Sequence, residues 1–144
     1  MSFSNLTIVP LLSLVASLAG CSTARVVPAA GGSEVAQITG TVTYRERIAL
    51  PPTAVVKLQL VDVSRADALA VVLGEQLIET AGRQVPFEFV IPYDPARIDE
   101  RMSYAVQARI EAGGRLLFIN DQRYAVITRG APSHVDLVLK AANK

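Results

Sequence analysis

The chain has one cysteine, Cys21, and one histidine, His134, so side chains suited to cysteine- or histidine-based catalysis and to zinc binding are scarce. Cys21 stands shortly after an uncharged apolar run, residues 6–18. His134 lies in the stretch Ser133-His134-Val135-Asp136, which contains the residue types of an acyl-transfer triad. Triad members meet through the fold and not through adjacency, so we expect a solvated histidine on the last predicted strand.

Metal binding is not predicted from the acidic residues either. Asp62 with Asp67, or Asp94 with Asp99 and Glu100, offer the oxygen ligands that calcium prefers. Neither group has the spacing of an EF-hand loop, and charged loop ends explain both better. One histidine and one cysteine also fall short of the usual zinc ligand sets. We therefore predict no metal and no cofactor.

The residues Leu18, Ala19, Gly20 and Cys21 resemble the bacterial lipobox, in which the cysteine receives diacylglycerol and a peptidase cuts before it. The apolar run of residues 6–18 is too short for a transmembrane helix but has the length of a signal-peptide core. It also lacks the amphipathic spacing of a short buried helix, which is the alternative interpretation. Residues 1–20 are thus predicted to be a cleaved lipoprotein signal peptide, although its first residues carry no Lys or Arg.

Lipidation of Cys21 would give a thioether-linked diacylglycerol and an N-acyl chain such as palmitate. Each buried methylene contributes about 0.8 kcal/mol, so three chains anchor a protein firmly to a membrane. Ser22 resembles the default residue for outer-membrane sorting, whereas Asp favours inner-membrane retention. We expect an outer-membrane lipoprotein that faces the periplasm, with residues 21–34 as a flexible linker.

From residue 35 to residue 141 the apolar residues recur with a period of two, as in half-buried β-strands. About eight short runs are separated by turn residues, among them Pro51-Pro52 and Gly113-Gly114. No long amphipathic helix is predicted. The pattern favours an all-β domain, an antiparallel β-sandwich of seven to eight strands, with a small barrel as the second choice.

Four arginines are candidate partner-binding residues: Arg45 and Arg47 before the Pro-Pro turn, and Arg97 and Arg101 in a predicted crossover loop. If the two loops meet, the guanidinium groups form one patch that binds carboxylates. The alternative is a scatter of surface arginines paired with nearby acids. The formal net charge of +1 gives no reason to expect a nucleic-acid partner.

Four longer segments follow one another between residues 38 and 139: ITGTVTYRERIALPPTAVVKLQLVDVSRAD, PFEFVIPYDPARID, YAVQARIEAGGRLLF and TRGAPSHVDLVL. With the lipobox, they resemble the YbaY-type lipoproteins, whose domain is shared with the YscW-type lipoprotein chaperones of type III secretion. The resemblance implies a β-sandwich lipoprotein facing the periplasm. In the secretion branch it also implies a pilot role, in which the lipoprotein binds a secretin and helps it reach the outer membrane.

Three functions remain at this point. The first is a non-catalytic binding or assembly module that holds a partner chain by a sheet edge or by its arginine loops. The second is an enzyme or ligand binder for envelope glycans or peptides, but Glu75 and Glu79 lie about 13 Å apart along a strand, too far for a catalytic pair. The third is a purely structural envelope lipoprotein. We favour the first and predict no enzymatic activity.

Overall fold

The structure, a computed structural model, describes residues 34–142. This range contains eight strands and one turn of 3₁₀ helix, Pro95–Arg97. The strands are β1 Ala36–Tyr44, β2 Val55–Asp62, β3 Val71–Glu79, β4 Phe87–Tyr93, β5 Tyr104–Ala112, β6 Arg115–Ile119, β7 Tyr124–Val126 and β8 His134–Ala141. No helix in it is long and apolar enough to cross a membrane. The predicted signal peptide, residues 1–20, lies outside the described residues.

The strands form where the sequence alternates, because every second side chain enters the core. In β1 the even-numbered residues from Ile38 to Tyr44 are buried, and the threonines between them face outward. β5 and β6 are joined by Gly113 and Gly114, whose φ values of 56° and 76° suit a tight hairpin turn. Ile98, after the 3₁₀ turn, packs against the core, as expected for a crossover that closes one end of it.

All eight strands belong to one curled sheet, with the order β3-β2-β5-β6-β8-β1-β4 and with β7 also paired to β5. The all-β class and the strand number are confirmed. The two-sheet sandwich is not, and the fold is barrel-like. Two residue pairs, Phe118 with Ala141 and Ile119 with Lys140, join β6 to β8 and so link what would otherwise be separate sheets. The sheet is also not purely antiparallel, because β1 and β8 run parallel.

The two edge strands, β3 and β4, approach each other without a backbone ladder, and we call this contact the seam. The Gln76 side-chain oxygen accepts a hydrogen bond from the Val90 N–H at 2.7 Å. A Cβ on Gly74 would lie 2.4 Å from the Pro92 carbonyl oxygen, so the backbones meet closely there. The barrel is therefore nearly closed by one side chain and one glycine.

The two ends of the barrel carry different loops. Ala36 pairs with Tyr93, whereas Val42 pairs with Phe87. The loops 63–70 and 94–103 consequently lie at the end where β1 begins, which we call the entry end. The loops 45–54 and 80–86 lie at the opposite end, which we call the far end.

Candidate functional site

The predicted lipid-attachment residue, Cys21, and the lipobox residues Leu18, Ala19 and Gly20 lie outside the described residues. Lipidation of Cys21 therefore stays a prediction. The described chain begins at Glu34, directly before β1, at the entry end of the barrel. The polypeptide that leads back to Cys21 thus joins the domain at this end.

The four candidate arginines do not form one patch. Arg45 and Arg47 follow β1 at the far end, whereas Arg97 and Arg101 belong to the crossover at the entry end. The nine residues of β1 separate the two pairs by roughly 27 Å. The two loops do not meet, because β4 runs antiparallel to β1 and the loop after each strand therefore lies at a different end. Binding of a partner by either pair alone stays a prediction.

Arg101 forms a local ion pair with Asp99, in which Arg101 Nη2 lies 2.8 Å from Asp99 Oδ2. The Arg101 side chain is 86% exposed, so the pair contributes little to stability. Hydrogen bonds from the Arg101 side chain and backbone hold the pKa of Asp99 down at about 2. This arginine is already paired with a nearby acid, as the alternative interpretation proposed.

His134 lies on the outer face of β8, as expected for a solvated residue. Its Nδ1 is 3.0 Å from Thr39 Oγ1, and its Nε2 is 3.6 Å from Asp136 Oδ1. The His134 and Asp136 side chains are 63% and 66% exposed. The three groups form a polar row across the parallel β1–β8 pair, and they stand in open solvent rather than in a cleft that could orient a substrate.

Asp62, Asp94 and Asp99, three of the acids considered for calcium, accept hydrogen bonds from backbone N–H groups two residues on. Asp94 Oδ1 accepts from the Ala96 N–H at 2.9 Å and begins the 3₁₀ turn. Asp62 Oδ1 accepts from the Ser64 N–H at 2.8 Å. Within residues 34–142 there is no group of three or more His, Cys, Asp or Glu side chains that could hold a metal ion.

Three outward-facing apolar side chains lie along the seam, and we call them the seam surface: Val72 and Leu77 on β3 and Val90 on β4. They are 40%, 58% and 42% exposed. The edge of β4 is blunted, because Val90 donates to Gln76 and Pro92, two residues on, has no N–H to offer. A partner would therefore bind here through side chains more readily than by adding a strand.

A groove of about 480 Å³ lies on the outer face of β2 and β5, with residues 119–123 as one wall. Lys57 and Gln59 of β2 stand opposite Arg109 and Gln107 of β5 on its floor. Sequence reasoning missed this group, because period two places each residue on the outer face but does not tell which strands are neighbours. The Lys57-x-Gln59 and Gln107-x-Arg109 spacings are the only signal that the sequence carries.

Comparison with known proteins supplies the relationship that geometry alone does not. Residues 33–139 match the family model of the type III secretion system lipoprotein chaperone YscW. The uncharacterized lipoprotein YbaY of Escherichia coli K12 is 38% identical over 102 residues, which cover 71% of this chain and 53% of YbaY. The chain thus spans about half the length of this curated relative.

A solved structure gives the same relationship at the level of the fold. It is an alternative pilotin from the type II secretion system of Vibrio cholerae, with a TM-score of 0.74 and 48% sequence identity. The match covers 77% of this chain and 100% of the pilotin chain. The resemblance stated from the sequence is confirmed, and the chain belongs to the YscW family of lipoprotein chaperones.

Proposed function

We propose that this protein is a lipid-anchored, non-catalytic envelope lipoprotein that binds a secretin subunit and assists its assembly in the outer membrane. Cys21 would carry the lipid, and residues 35–141 would be the binding domain in the periplasm. The observation that carries the proposal is the 48% identity to a secretion-system pilotin over that protein's whole solved chain. The family model, which describes lipoprotein chaperones, supports the same role.

The seam surface is the part of the domain that we assign to the partner. Val72, Leu77 and Val90 expose apolar side chains on one outer face, and clusters of this kind mark protein-binding sites. Glu79 and Glu88 are exposed on the same two strands. An apolar segment of the partner that is flanked by basic residues would complement both features.

The experiment is co-purification of the full-length lipoprotein with a co-expressed secretin subunit, comparing Leu77→Glu and Val90→Glu with Ile48→Glu. Ile48 is a matched control, because it is 61% exposed but lies in the β1–β2 loop at the far end. We expect each seam variant to reduce recovery of the secretin about tenfold or more, since a charge would replace an apolar contact. The Ile48 variant should recover the wild-type amount.

Two results would contradict the proposal at different levels. If Ile48→Glu lost binding and both seam variants kept it, the partner would bind at the far end and not at the seam surface. Recovery of no secretin by the wild-type protein, even after crosslinking, would reject the pilotin role itself. The anchor is tested separately by the mass of the mature N-terminus, because Cys21→Ser should remove the acyl mass and release the protein from the membrane fraction.

A further inference from the structure

The groove on the outer face of β2 and β5 brings two cations into direct opposition. Lys57 and Arg109 are register partners on neighbouring antiparallel strands, and Arg123 lines the same groove. Like charges directly opposite each other destabilise a sheet. A local conflict of this kind is expected where residues serve binding rather than stability.

The cations are balanced from outside the groove, by acids on its flanks. Lys57 Nζ lies 3.7 Å from Glu75 on β3, and Arg109 Nε lies 3.0 Å from Glu111 further along β5. Arg109 Nε is buried and, within the described part of the chain, makes no hydrogen bond despite that distance. The contact of Nε with Glu111 therefore lacks hydrogen-bond geometry, and turning the guanidinium toward a ligand would break no hydrogen bond from Nε.

The rest of the groove supplies uncharged amides. Gln59 and Gln107 face each other on the floor, and Gln122 belongs to the wall. Gln59 Nε2 donates to Glu75 at 3.1 Å, and the Asn120 amide is held by Ala108 and Gln122, so Gln107 and Gln122 are the amides that we assign to the ligand. Side-chain amides both donate and accept, so they can pair with the N–H and C=O groups of a peptide backbone. Asp121, the acid that lines the groove, is engaged in an ion pair with Lys140.

We propose that this groove binds a short acidic peptide segment of a partner protein. Lys57, Arg109 and Arg123 would receive its carboxylates, and the amides would hold its backbone. Charge complementarity selects this class of ligand, because the floor presents two cations whose flanking acids can be displaced. The residues that line the groove differ from those of the seam surface, although Leu77 is the register partner of Lys57. The proposal rests on the charges of the groove and not on the pilotin role.

The test measures the binding of a fluorescein-labelled hexaglutamate peptide to full-length protein in neutral detergent, by fluorescence anisotropy. Hexaglutamine and free glutamate are the comparison ligands. Lys57→Gln and Arg109→Gln should each weaken binding of hexaglutamate about threefold to fivefold, as expected for partly exposed ion pairs. The matched control, Arg115→Gln, removes the same charge from an exposed site on β6 outside the groove and should change affinity less than twofold.

A variant that is expected to bind more tightly gives the more decisive test, because unfolding of the protein cannot increase its affinity. Glu75→Gln frees Lys57 and should strengthen hexaglutamate binding by about the same factor. The proposal is overturned if Glu75→Gln leaves the affinity unchanged or if Arg115→Gln weakens binding as much as the groove variants. Equal affinity for hexaglutamine would also overturn it. If free glutamate bound with the same affinity as hexaglutamate, the groove would be an anion site and the peptide proposal would fail.

Discussion

The close approach of the two edge strands at Gly74 makes a quantitative prediction for Gly74→Ala. The added Cβ would stand 2.4 Å from the Pro92 carbonyl oxygen and 2.9 Å from Ile91 Cγ2. The neighbours would have to move by about 1 Å, because ordinary contacts of this kind begin near 3.4 Å. Pro92 belongs to β4, which is held on its other side by β1, so the backbone cannot retreat freely.

Two effects of opposite sign compete in this variant. Replacing a strand glycine by alanine normally favours the folded state by about 0.5–1 kcal/mol, since glycine loses more backbone entropy on folding. Overpacking a filled site costs about 1–3 kcal/mol. The steric term is the larger, so we expect a net loss of about 1–2 kcal/mol in the free energy of unfolding. For a domain of this size the melting temperature should fall by about 4–12 °C.

Thermal unfolding followed by circular dichroism measures the loss, and hydrogen exchange of the Val90 amide locates it. That amide donates to Gln76 across the seam, so a wider seam should make it exchange faster. Glu79→Ala is the control, since Glu79 is an exposed residue on the same strand, β3. An unchanged or higher melting temperature for Gly74→Ala, with Val90 protected as before, would refute the reasoning.

Further predictions concern one ion pair and one part-buried hydroxyl. Because Asp99 has a lowered pKa of about 2 in the folded state, its contribution to stability is present above its ordinary value of 3.8 and is lost as the pH falls toward 2. In Arg101→Gln the Asp99 pKa should rise toward 3.8, as followed by carboxyl NMR titration; an unchanged value would contradict the assignment. Tyr124→Phe should cost about 1–2 kcal/mol in urea unfolding, because Val138 N–H would lose its acceptor at 2.9 Å. Tyr93→Phe, which changes a half-buried tyrosine on β4, should cost less.

Alternation of side chains predicted the strands well because it depends only on neighbours in sequence. The Gly113-Gly114 hairpin follows from such a local rule, and the structure confirms it. The closure of the sheet depends instead on which distant strands pair. The two pairs that join β6 to β8 leave no periodic mark in the sequence, so a sandwich and a barrel looked alike.

For the candidate sites too, the sequence predicted what depends on a single strand and not what depends on which strands are neighbours. His134 was placed correctly because its strand and parity were enough. The single arginine patch, which the sequence left open beside a scatter of paired arginines, does not form, because it required two loops to share one end of the barrel. That depends on strand direction. The opposition of Lys57 and Arg109 was missed for a related reason, since β2 and β5 are neighbours in space but not in sequence.

The interruption between β6 and β7 explains how the groove is built without opening the barrel. Both strands pair with the same edge of β5, and residues 120–123 bulge outward between them. Asn120 fills the gap, since its Oδ1 accepts from the Ala108 N–H at 2.8 Å and its own N–H donates to the Ala108 carbonyl. An uninterrupted strand would satisfy the same edge of β5 but would leave no wall beside Arg109. Residues 120–123 thus leave the strand while the backbone of β5 stays paired. We infer that this segment serves to form the wall of the groove.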